Sequence, residues 1–153
     1  MAKKRTERQK LIDRLDELWR IVDVQTQVCE VCETLPPELR FDYSKRDNHH
    51  IVGRGNKLLR WDTRNRARLC TGHHTLSSKN AQENQGGWFF NDFTDEDWMG
   101  TYRLEDKKYL MERRYQTKNW SIFELRELLS KMKEKLKNPD ADEYSDSIVS
   151  FLS

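Results

Sequence analysis

Residues 49–74 read HHIVGRGNKLLRWDTRNRARLCTGHH and hold every histidine of the chain, His49, His50, His73 and His74. Between the two pairs lie Arg54, Lys57, Arg60, Arg64, Arg66 and Arg68. Cys70 stands three residues before His73, and the same spacing separates Cys29 from Cys32 in the run CEVC. Two such pairs supply three thiolates and one imidazole, a donor set that suits tetrahedral zinc. The ion would close a loop of 37 residues between Cys32 and Cys70. His73 and His74 compete for the fourth position. Neighbours on a helix point about 100° apart, so only one can complete the tetrahedron, and the x2 spacing from Cys70 favours His73.

Working outward, the 153-residue chain has a single-domain length, with 35% hydrophobic and 35% charged residues. Such a chain can bury one small core and gains from a metal staple. No run approaches the roughly 18 apolar residues of a membrane span, and no apolar run follows MAKKRTERQK. The expectation is a soluble, cytoplasmic protein with no membrane partner. Three cysteines, an odd number, argue against a disulfide framework. The net charge of +2 conceals a segregation: residues 38–79 carry ten basic against four acidic side chains, whereas 80–112 carry three against eight. A local basic excess of that size is what a polyanion-binding surface needs, although a solvated loop would also show it.

Leu11, Leu15, Leu18 and Val22 recur at helical steps, so the stretch from Thr6 to Asp23 reads as an amphipathic helix. The helix would pack on the rest of the fold or pair with a second copy. Ile51-Val52 and Leu58-Leu59 read as two brief strands joined by a glycine-bearing loop, followed by a helix near 71–80. Trp61 and Trp88 read as core or lid aromatics. Thr94 before DED suggests an acidic helix start, and Ser121-x2-Glu124 is a capping box before Leu125, Leu128, Leu129, Met132 and Leu136. Lys131, Lys133, Lys135 and Lys137 could offer that last helix a face for phosphates. The segments divide as an N-terminal helix (1–28), a zinc-bound core (29–80), a loop and helical extension (81–137) and a mobile acidic tail (138–153).

Phosphodiester hydrolysis needs a base for water, a cation for developing charge and positive groups to hold the backbone. Imidazoles suit the first two tasks and the six basic residues suit the third. In this combination the chain resembles the HNH endonucleases, whose ββα-metal (His-Me finger) core carries His-His-Ile, a later Asn and a Cys/His closure. The matching residues are His49-His50-Ile51, Asn65 and Cys70-x2-His73-His74, with His73 where many members have a fourth zinc cysteine. GRGNKLLRWDTRNRARLC and KNWSIFELRELLSKMKEKLK are similar to phage recombination endonucleases of the NinG type.

The resemblance implies an α+β fold in which helices flank a zinc-stapled ββα core. It implies a metal-dependent DNA endonuclease acting on duplex or branched DNA, associated with phage or nucleoid DNA. His50 would be the general base, and Asn65 would fix the loop or carbonyl that orients it. His49 and His74 would hold a catalytic divalent cation, with magnesium, manganese, nickel and zinc all acceptable in different degrees. Cys29, Cys32, Cys70 and His73 would hold a structural zinc. A monomer would nick one strand, and a homodimer through the N-terminal helix would cut two. The alternative is an inactive, zinc-stapled nucleic-acid-binding module.

Overall fold

Two antiparallel strands, β1 (Arg46–His50) and β2 (Arg66–Cys70), pair from Arg46 opposite Cys70 to His50 opposite Arg66. They form the one sheet found among the described residues, 2–21 and 28–138, of a small α+β fold seen in a computed structural model. Val22, Asp23 and the acidic tail beyond Asn138 lie outside the described residues. The strands do not fall where the apolar clusters suggested. Leu58 and Leu59 are fully buried, yet they enter the core from turns: Leu59 N–H donates to Asn56 Oδ1 and its carbonyl accepts from Asp62. Pairing goes instead to RDNHH, whose Asn48 is buried and donates to the Trp19 carbonyl at 2.8 Å. Burial without pairing gives an apolar signal too, and that separates the two readings.

Helix α1 (Glu7–Ile21) buries Leu15, Leu18 and Trp19 and packs along both β1 and the last helix. The turn α2 (Glu30–Glu33) carries Cys32 and has Cys29 at its N-cap, so x2 spacing brings both sulfurs to one side. After β2 the expected helix over 71–80 shrinks to a wide turn, Gly72–Leu76, closed by Ser77 N–H on the Gly72 carbonyl. Ala81 N–H then returns to the His73 carbonyl at 2.7 Å, folding the chain back over the turn.

Helix α3 (Trp98–Tyr102) starts later than Thr94 because Asp97 is its cap, accepting from Gly100 N–H. Helices α4 (Leu104–Arg113) and α5 (Ile122–Lys137) follow, the latter opened by the full Ser121/Glu124 capping box. Leu125, Leu128 and Met132 of α5 join Leu15, Leu18 and Trp19 of α1 in one core with Leu58, Leu59, Leu69 and Leu110. The four lysines of α5 fall on two faces: Lys133 and Lys137, four apart, share an exposed one, whereas Lys131 and Lys135 lie on another where Lys135 is buried. No helix among the described residues is long and apolar enough to cross a membrane.

Candidate metal centre and histidine cluster

The sequence pairs converge. Cys29, Cys32, Cys70 and His73 are all buried, with donor atoms within 4.8 Å of one another. His73 Nδ1 lies 3.6, 3.4 and 3.5 Å from the sulfurs of Cys29, Cys32 and Cys70, and Cys32 Sγ lies 3.9 Å from Cys70 Sγ. Zinc bonds of about 2.3 Å to sulfur and 2.0 Å to nitrogen give tetrahedral edges of about 3.5–3.8 Å. These four separations lie near the tetrahedral edges, so the cluster could hold a structural zinc. Burial, with the neighbouring thiols adding to it, pushes the Cys32 thiol up to about 12, a penalty that a bound dication would reverse. His73, rather than His74, joins the cysteines.

His74 turns to the other side of the same turn and meets β1. Its ring stands edge-to-face with His49 at a centroid distance of 5.3 Å, and its Nδ1 lies 4.0 Å from Asp47 Oδ2. Asp47 and His49 are two apart on a strand, so they share a face. Phe89 closes that face against His49 at 5.8 Å. Burial, then the neighbouring imidazoles His74 and His50, lowers His49 to about 3. His74 is also lowered by burial, with Asp47 opposing the shift. Two imidazoles thus stand beside a carboxylate, but among the described residues only the Cys3His cluster brings three or more such donor atoms within 4.8 Å of one another. Asp47 did not emerge from the sequence, although its place two residues before His49 was the available signal.

His50 points to the opposite face, because β1 runs without a bulge through it. Its ring stacks on Trp19 at 3.6 Å and 12° between planes, and its Nε2–H donates to the Arg60 carbonyl at 2.8 Å. That bond fixes the tautomer and leaves Nδ1 as the basic nitrogen. Burial lowers His50 to about 4, partly offset by the Arg60 carbonyl.

Asn65, fully buried, donates to the Val52 and Leu59 carbonyls at 2.9 and 3.1 Å and accepts from Val52 N–H at 2.6 Å. It staples the loop 51–65 shut, and so positions the stretch that delivers the Arg60 carbonyl to His50.

The six basic residues diverge in role. Arg54 and Lys57 are exposed. Arg60 grips Asp16 with both ends of its guanidinium, at 2.9 and 2.5 Å. Arg64 lies over the Tyr109 ring at 4.1 Å, and Arg68 donates to the Val28 carbonyl. Arg66 is half-buried on β2, its carbonyl accepting from Arg103. Compared with known proteins, the chain matches no family model, no curated protein and no solved structure.

Proposed function

We propose that the chain is a metal-dependent HNH-type DNA endonuclease that hydrolyses phosphodiester bonds. The observation that carries the reading is the meeting of His49 and His74 at 5.3 Å, beside and separate from the Cys3His cluster. His49 and His74 would hold the divalent cation, with Asp47 orienting His74. Bound there, the cation would neutralise charge on the phosphate and stabilise the leaving 3′ oxygen.

His50 Nδ1 takes the proton from the attacking water. The Arg60 carbonyl, accepting from Nε2–H, favours the imidazolium that results. Asn65 acts as a positioning residue through the loop it closes, and Arg54 and Lys57 attract the DNA backbone. Supercoiled plasmid should be nicked with added magnesium or manganese and left intact with EDTA. His50→Ala should lower the rate by about 100-fold or more while keeping the zinc. Cleavage that survives His50→Ala would remove the base from the proposal.

One observation favours a second reading, a zinc-stapled nucleic-acid-binding module without chemistry. His50 is stacked on Trp19 and lies across the sheet from His49. Salt-dependent duplex binding with no metal-dependent nicking would select that reading.

A further inference from the structure

A cavity of about 300 Å3 opens between α1, the turns after Lys57 and the segment leading into α5. Arg8, Lys57, Arg60 and Lys118 line it, and no carboxylate does. Asp16 behind Arg60 and Glu124 beside Lys118 compensate part of this charge, so the cavity keeps a positive excess. Ile12 and Trp120 supply apolar wall. The wall is pinned in place: Trp120 Nε1–H donates to the Lys57 carbonyl at 2.8 Å, and Arg8 donates to the Trp120 carbonyl.

A ligand that satisfies both kinds of wall joins a flat apolar body to an anion. A nucleotide does so, with its base against Ile12 and the accessible edge of the indole, over whose ring Lys118 lies at 5.1 Å, and its phosphate among the cations. The volume lies at the lower end of the roughly 300–1,000 Å3 typical of small-ligand sites, which admits one nucleotide and no base pair. A base stacked within a duplex cannot enter, whereas an unpaired one can be turned in. Location adds a second argument. Arg60, its guanidinium held by Asp16, lines the cavity and gives its carbonyl to His50, so the cavity and the proposed base meet at one residue.

We propose that this cavity holds a single unpaired nucleotide of the DNA substrate and directs cleavage to strands that carry one. The link to cleavage rests on the nuclease reading above; the binding itself does not. The test uses the full-length, zinc-loaded protein with no other divalent cation added. Fluorescence anisotropy compares a labelled duplex with the same duplex bearing one unpaired adenosine. The bulged duplex should bind about tenfold tighter, the scale of one stacked base. That ratio should fall to near one in Ile12→Trp, which fills the cavity, and in Lys57→Glu, an exposed change that spares the core.

Equal affinities in the wild type, or a ratio untouched by either variant, would overturn the proposal. Zinc content verifies that Ile12→Trp has folded. Both duplexes are then incubated with manganese. Cleavage of the two at equal rates would keep the nuclease and overturn the cavity's role. Selective binding with no cleavage would keep the cavity as a binding site and overturn the nuclease.

Discussion

His50 and His49 are kept neutral mainly by burial, and this has a consequence for acid stability that is independent of catalysis. The unfolded chain takes up protons on histidine near pH 6.5, whereas the folded chain does so only near 4 and 3. Their stabilising contribution is therefore full above about pH 6.5 and is lost as the pH falls towards 4. By pH 5 the loss is about 2 kcal/mol per group, read as a lower Tm with no cation added beyond zinc. A His49→Gln/His50→Gln double variant should flatten the slope between pH 7 and 5. An unchanged slope would assign the acid loss to other groups, His74 among them. Asn65 is a second sensitive residue: Asn65→Ala strands the Val52 N–H and carbonyl, leaves the Leu59 carbonyl with Asp62 alone, and should cost about 2–4 kcal/mol in urea denaturation. At this scale, legibility depended on the kind of partner. The donors of the Cys3His cluster could be found because sequence-local pairs at x2 spacing carry the metal's geometry. The Arg60 carbonyl that fixes His50 could not, since every residue has a carbonyl. Nor could Trp19, because an indole stacked on histidine leaves the same trace in an apolar stripe as one in a core.

Among the elements, α5 has the clearest dependence on a single polar residue. Ser121→Ala removes the hydroxyl that accepts from Glu124 N–H and leaves only the reciprocal bond from the backbone N–H of residue 121 to the Glu124 carboxylate. The expected loss is about 1 kcal/mol, visible as a lower denaturation midpoint with an unchanged m-value. The cap and the leucine stripe made α5 legible, as the alternation of Leu15, Leu18 and Trp19 did α1. The sheet was not legible, because five polar residues form β1 and their pairing is imposed by the closed loop and the covering helix. The turn Gly72–Leu76 is tight for another reason: a Cβ on Gly72 would lie 2.5 Å from the Phe41 ring and 2.9 Å from Tyr43. Gly72→Ala should therefore displace Phe41, which packs on His73, and weaken zinc retention in a chelator competition. Retention equal to the wild type would show that the Phe41 packing yields without moving His73.

Taken whole, the molecule has one core whose halves are also joined by Arg103. Its guanidinium donates to the Arg64 and Arg66 carbonyls and pairs with Glu30 and Asp106. The Cys3His cluster joins the same two regions, α2 and the end of β2, so removal of an ion held there should act on the entire fold. Chelation, or Cys32→Ser, is expected to abolish the cooperative thermal transition rather than lower it by a few degrees. A soluble Cys32→Ser protein with a normal transition would mean that Arg103 and the core suffice without the ion.

The division of that cluster also has a consequence in time. The Cys29–Cys32 half leaves the ribosome well before Cys70 and His73, which follow across a stretch of 37 residues after Cys32. At synthesis rates of about 5–20 residues per second, the gap is roughly 2–8 s. For that interval the nascent chain exposes a dithiol with no second half to complete the cage. Zinc supply and thiol oxidation during translation should then set the yield of native protein, even where the finished molecule holds its metal tightly.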